Sequence, residues 1–176
     1  FIQVFDSVGL PVKDANVHVA YTSTTSPVII DDTTNNEGML NIVDVPPAPN
    51  AYSIVVTKSG YSSDQNYPIG GVGNPDPNKP YSTVALQQIT KTSFSIDKLA
   101  SLKITSVTPM CVPVSNFDFN LSGVKQIGQN VPKYSSNLIT NSLGRLDLNS
   151  LEWDSYTITP IDTAYDIVGI NPLNLI

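Results

Sequence analysis

One phrase occurs twice in this chain, and it restricts the fold more than any other feature. Thr34 to Gly38 (TNNEG) returns as Thr140 to Gly144 (TNSLG), at a shift of 106 residues. Tyr52, Ile54, Tyr61 and Pro68 return as Tyr156, Ile158, Tyr165 and Pro172 at a shift of 104, with identical internal spacing. Pro11, Val12, Val17 and Val19 match Pro113, Val114, Phe119 and Leu121 at a shift of 102. The small changes of shift fall where loops belong, as expected when one supersecondary unit is repeated. The expectation is two tandem β-domains, residues 1–98 and 99–176.

Each copy reads as strand. Apolar residues alternate with polar ones at Val17 and Val19, and at Tyr52, Ile54 and Val56, which is the period of a half-buried strand. Leu40, Ile42 and Val45 precede a turn expected at Pro46 to Asn50, and Val84 to Ile96 reads as one further strand. No segment carries the i, i+3, i+4, i+7 pattern of an amphipathic helix free of Pro, Gly or β-branched runs. The fold class expected is all-β, with two Ig-like or transthyretin-like antiparallel β-sandwiches. Asn35, Asn36 and Asn141 suit strained turn positions. Tyr61 and Tyr165 are expected to close each unit with a buried ring and a hydroxyl on the backbone. The junction near Asp97 to Ser101 has no Gly/Ser tract, which suits a stalk with little hinge motion.

GLPVKDANVHV, TNNEGML and YSIVVTKSGY together resemble the carboxypeptidase regulatory-like domain, a transthyretin-like sandwich related to the collagen-adhesin B-type repeat. The resemblance is good over residues 1–69 and weaker over 102–172, where LSGVKQIG, TNSLGRLDL and LEWDSYTI are similar to tandem modules of bacterial surface and pilin-like proteins. It implies a non-catalytic role as spacer, stalk, adhesive or carbohydrate-contacting unit. The motifs are turn and core residues, so they specify fold far better than function. Some relatives carry a Lys–Asn cross-link from an inward-facing Lys on the first strand. Here Val4 and Phe5 stand in the first copy, and alternation turns Lys103 outward in the second.

Composition narrows the function. The formal charge is −6, with 9 basic and 15 acidic residues and no basic run, so phosphate-rich nucleic acid is not an expected partner. A single His (His18) and a single Cys (Cys111) exclude an internal disulfide and multi-His or multi-Cys metal sites. No cofactor motif is recognisable. No run of 18 apolar residues would span a bilayer. The start FIQVF reads as a strand, as in a part excised from something longer, and an extracellular or cell-surface location is expected.

Candidate residues are few. Trp153, the only tryptophan, lies between Glu152 and Asp154; its indole is expected to be partly exposed, where a sugar ring could stack while Asp154 accepts hydroxyl hydrogen bonds. Tyr81, at the end of the Pro- and Asn-rich stretch 73–81, is the second ligand candidate. The run Asp31 to Gly38 is rich in oxygen ligands, yet its spacing departs from a calcium loop and fits a hairpin turn. His18 is expected to be exposed and Cys111 to be a small apolar filler. Asn120-Leu121-Ser122 matches a glycosylation acceptor but falls inside a strand. After Pro68 the first copy runs on for about 28 residues, a length read along the chain, whereas the second stops soon after Pro172. The second domain is therefore expected to lack its final strand, through truncation or because a neighbouring subunit or domain adds one.

Overall fold

The computed structural model describes residues 1–21, 27–70, 74–168 and 173–175. Pro172 and the first residue of the stretch 73–81 lie outside them. The chain is all-β, and the described residues contain no helix. It forms two compact units, Phe1–Lys98 and Leu99–Ile176.

The first unit contains β1 (Ile2–Phe5), β2 (Asn16–Tyr21), β3 (Val28–Thr33), β4 (Met39–Leu40), β5 (Ala48–Thr57), β6 (Asp64–Gln65), β7 (Ser82–Val84) and β8 (Thr92–Ser95). One sheet has the order β4-β1-β8; the other has the order β3-β2-β5-β6, with β7 also on β5. Their facing sides bury Ile2, Val4, Val17, Val19, Tyr52, Ile54, Val56, Phe94 and Ile96 in one cluster. Period-two burial along β2 and β5 is what selects these residues, since the same face of each strand points inward at every second position. Two expectations are corrected here. Val84 to Ile96 is not one strand: β7 and β8 are separated by residues 85–91, and β8 runs parallel to β1 rather than antiparallel. The turn expected at Pro46 to Asn50 is instead partly strand, because β5 begins at Ala48 and pairs with β7 there.

The second unit contains β9 (Ala100–Thr105), β10 (Asp118–Gly123), β11 (Gln126–Gly128), β12 (Val131–Pro132), β13 (Ser135–Ile139), β14 (Arg145–Leu151), β15 (Asp154–Pro160) and β16 (Leu173–Leu175). Its sheets have the orders β13-β10-β15-β16 and β14-β9, beside the small hairpin β11-β12. Phe119, Leu121, Leu151 and Tyr156 form its buried centre, with Leu102, Ile104, Leu138, Leu146 and Ile158 half-buried around them.

The repeated TNxxG phrase makes the same clasp in both units. In the first, the buried Thr34 hydroxyl accepts a hydrogen bond from the Ala15 amide at 2.9 Å and donates to the Val12 carbonyl at 2.7 Å. In the second, Thr140 accepts from the Phe117 amide at 3.0 Å, and the Ser106 hydroxyl donates to the Val114 carbonyl at 2.7 Å. Asn35 Oδ1 accepts from the Glu37 and Met39 amides, and Asn141 Oδ1 accepts from those of Leu143 and Arg145. The Asn residues therefore act through their side chains. The left-handed positions are Gly38 and Gly144, each at φ 68°, and Asp14 and Asn116, each at φ 52°. A Cβ on Gly38 would lie 2.5 Å from the Val4 carbonyl oxygen, and one on Gly144 would lie 2.6 Å from that of Ser106. Only glycine lets the turn lie against the first strand so closely.

The shift of 102 explains Cys111. It is exposed in a turn at φ 61°, the place that Gly9 occupies at φ 83° in the first unit. The Cys111 amide donates to the Thr108 carbonyl as the Gly9 amide does to that of Asp6. Cys111 is thus not an apolar filler. Cys111→Gly is expected to relieve the backbone penalty and stabilise the chain by about 1 kcal/mol, read as a raised midpoint of thermal unfolding; a lowered midpoint would contradict the assignment.

Tyr61 and Tyr165 do not close their units as expected. Tyr165 is 47% exposed, and its ring meets Phe117 edge-on at 5.5 Å. Tyr61 lies under the Lys58 ammonium. Buried Tyr52 and Tyr156 carry the hydroxyl-to-backbone bonds instead, to the carbonyls of Pro46 and Glu152. Burial, with Asp154, Glu152 and Tyr134 adding negative charge nearby, pushes the Tyr156 phenol up to about 12. The folded form therefore holds this proton more tightly than the unfolded chain does. The stability it contributes is whole below the ordinary tyrosine value near pH 10 and is lost as pH rises toward about 12. Tyr156→Phe is expected to cost about 1 kcal/mol at pH 7 and to flatten the fall in stability above pH 10. An unchanged alkaline fall in that variant would assign it to other tyrosines.

Candidate functional site

Trp153 joins β14 to β15 and stands half-buried with Asp154 beside it. The Lys125 ammonium covers the indole at 3.2 Å from the ring centroid, a cation–π contact that occupies one face. The indole Nε1 is buried without a hydrogen-bond partner among the described residues. Asp154 is engaged with the backbone: Oδ2 accepts from the Lys125 amide at 3.0 Å and Oδ1 from its neighbour Ser155 at 2.7 Å. Lys133 and Glu152 pair at 2.8 Å. Lys125, Lys133, Tyr134, Glu152, Asp154 and Tyr156 line a cavity of about 170 Å³, to which the Trp153 ring does not contribute; it is smaller than a ligand pocket ordinarily is. Both signs of charge meet there, so polar neutral groups such as hydroxyls suit it better than an ion.

Tyr81 belongs to the first unit, so the three residues singled out from sequence do not form one group: Trp153 and Asp154 adjoin, and Tyr81 is in the other unit. Tyr81 closes its loop through its backbone, its amide donating to the Tyr67 carbonyl at 2.7 Å. It borders an open, largely polar depression of about 710 Å³ with Asn50, Asp76, Lys79 and Thr83. Below it Asp64 pairs with Lys79 and accepts from the Ser95 amide at 2.9 Å, while the Lys79 ammonium lies 4.9 Å from the centre of the Phe94 ring. These polar groups fix the loop to β8. They converge on one another rather than on open space.

Sequence reasoning missed a third feature, an apolar cavity of about 680 Å³ at one end of the first sandwich, lined among others by Phe1, Ile42, Val45, Tyr52 and Ile89. Its rim carries the exposed side chains of Val43, Leu86 and Ile89. The signal lay in Leu86 and Ile89, assigned to a strand although they form the connection between β7 and β8.

The remaining candidates are surface features. His18 is exposed and faces Asp31 across the β2–β3 pair, Nδ1 to Oδ1 at 2.6 Å. Lys103 is exposed on β9, and Asn120 Nδ2 donates to Asn137 Oδ1 across the β10–β13 pair. Asp32 accepts from the adjacent Thr33 amide at the end of β3. Among the described residues no three His, Cys, Asp or Glu side chains are grouped to hold a metal ion.

No protein-family model matches the chain, and no curated protein matches it. Solved structures similar to it include two bacterial pilins and a Bacillus anthracis protein. The Bacillus anthracis TIE protein is 14% identical with a TM-score of 0.38, over 98% of this chain and 30% of that one. A streptococcal ancillary pilin is 11% identical with a TM-score of 0.43, over 99% of this chain and 56% of that one. The shaft pilin SpaA of Lactobacillus rhamnosus GG is 11% identical with a TM-score of 0.34, over 99% of this chain and 93% of that one. This chain thus spans under a third of the first structure and just over half of the second. The likeness is one of β architecture, and shared architecture does not transfer function.

Proposed function

We propose that the chain is a non-catalytic structural and adhesive module of an extracellular bacterial surface or pilus-like assembly, made of two tandem carboxypeptidase regulatory-like sandwiches. The observation that supports this most is how the repeated polar residues are used. Thr34, Asn35, Thr140 and Asn141 spend their hydrogen bonds on the chain's own turns, in the same way twice. A sequence that repeats the same internal clasp in two units is built to hold a shape. Its partners in this reading are other subunits or neighbouring domains of the assembly, joined by strand addition to an open sheet edge. Antibodies raised against residues 1–176 should label intact cells of the organism that makes the chain; labelling only after lysis would overturn the placement.

A second reading, a carbohydrate-contacting accessory domain, rests on the unpartnered Nε1 of Trp153 with Asp154 beside it, and on the Tyr81 depression. A glycan array separates the two. Binding by the native chain that Trp153→Ala abolishes would favour the accessory domain, and no binding by either leaves the structural module.

A further inference from the structure

In each unit the larger sheet ends in an outer strand at the same place, and the two outer strands differ in charge. β3 pairs with β2 and β13 with β10, and among the described residues neither has a strand on its other side. The first unit leaves β3 open although the chain runs on from it into every later strand, so an open outer side belongs to the architecture of the unit. The shift of 102 carries His18 to Asn120, and the shift of 106 carries Asp31 to Asn137. The cross-strand contact of His18 with Asp31, Nδ1 to Oδ1 at 2.6 Å, is matched by Asn120 Nδ2 donating to Asn137 Oδ1 at 2.8 Å. An ionisable pair at one edge thus corresponds to a neutral amide pair at the other. β3 carries the exposed Asp31 and Asp32, whereas β13 reads Ser-Ser-Asn-Leu-Ile, the longest uncharged outer strand among the described residues. Charges, prolines and bulges are what keep one edge from pairing with another, and β13 has none of them.

Hydrogen bonds fix which groups face the open side. The Thr140 amide donates to Phe117 O at 3.1 Å and the Gly123 amide to Tyr134 O at 2.9 Å. With the register of the β10–β13 pair, Ser136 and Leu138 turn their backbone groups toward β10, and Ser135, Asn137 and Ile139 turn theirs outward. The side chains of those three are exposed on the outer face of the sheet. Asn137 Nδ2 has no acceptor among the described residues, so the neutral row ends on a free donor beside free backbone groups.

We propose that β13 is a self-association edge, at which two copies of this chain pair their β13 strands antiparallel about a two-fold axis at Asn137. Ser135, Asn137 and Ile139 exchange backbone hydrogen bonds with Ile139, Asn137 and Ser135 of the second copy. The Asn137 side chains lie on one face and meet across the axis, each Nδ2 donating to the second lone pair of the other Oδ1. Charge selects this edge for a second copy. The chain carries −6, so like copies repel unless they meet where acids are absent. The same register on β3 would set Asp31 against Asp31, which opposes pairing. An isologous contact closes on itself and gives a dimer instead of a fibre. One strand of five residues makes an interface below about 1,200 Å², so the association is weak and reversible. This names the edge and the partner for the strand addition proposed above, and rests on that reading for its place in a surface assembly.

The test uses the full chain. Sedimentation at about 1 mM should show dimers that dissociate on dilution to about 10 µM. The amides of Ser135, Asn137 and Ile139 should exchange about tenfold more slowly at the higher concentration, while those of Ser136 and Leu138, already bonded to β10, stay unchanged. Asn137→Asp should remove both the dimer and the added protection while Trp153 emission stays native. Asn137→Ser, which brings no charge, should keep both. A monomer at about 1 mM, protection confined to another edge, open-ended polymers, or equal behaviour of the two variants would each overturn the proposal. A dimer that forms as described in a chain labelled only after lysis would remove the surface placement alone. A monomeric chain that still labels on intact cells would remove this edge and leave the placement standing.

Discussion

Gly144→Ala should lower the stability of the second unit by about 3 kcal/mol: roughly 1 for a side chain at positive φ and the remainder for moving backbone that a Cβ would overlap. The contact concerned is 2.6 Å to the Ser106 carbonyl oxygen. Trp153, the only tryptophan, belongs to this unit and reports its unfolding directly. In urea, the Trp153 fluorescence midpoint should fall in Gly144→Ala. Gly38→Ala should produce an equal loss in the first unit, seen as the lost exchange protection of β1, β2 and β5 amides. A change below about 1 kcal/mol at either site would mean the turn relaxes away from its strand, and the clasp is then not a fixed element.

Phe94→Ala should have a comparable or larger effect. The ring is 2% exposed in the core of the first unit, and removing a buried phenylalanine costs about 3–5 kcal/mol through lost transfer energy and the cavity left behind. It also removes the ring over which Lys79 lies at 4.9 Å. The second unit has a fully buried ring of its own in Phe119, stacked on Phe117 at 5.7 Å, at the position that Val17 holds in the first unit. Denaturation by guanidinium followed by circular dichroism measures the loss. A cost under about 1 kcal/mol would show that Phe94 is not part of a close-packed interior.

The strands and the clasp were legible in the amino-acid sequence because their causes are local. Alternation marks the buried face of β2, β5 and β10, and a Gly four residues after a Thr marks a turn whose partners lie next to it. Long-range pairings were not legible in that way. Nothing in Thr92 to Ser95 says that it lies parallel to β1 instead of continuing β7, since both strands have the same period. Alternation placed Tyr52 and Tyr156 inward but could not say that their hydroxyls, not those of Tyr61 and Tyr165, would reach carbonyls. Cys111 became interpretable only through its alignment with Gly9, because Met-Cys-Val carries no mark of a left-handed residue. At the candidate site, Trp153 and Asp154 were read as neighbours from their adjacency. The Lys125 ammonium over the indole is a contact across 28 positions of sequence, and no short motif encodes it.

Two units that each hold their own core account for the repeat and for the two clasps. The most direct test is urea unfolding of the full chain carrying Phe94→Ala, followed at once by Trp153 emission and by amide exchange. Loss of protection in β1, β2 and β5 with the Trp153 midpoint unmoved is the predicted result. A Trp153 midpoint that falls together with the first unit would contradict it, showing one cooperative interior where two are described.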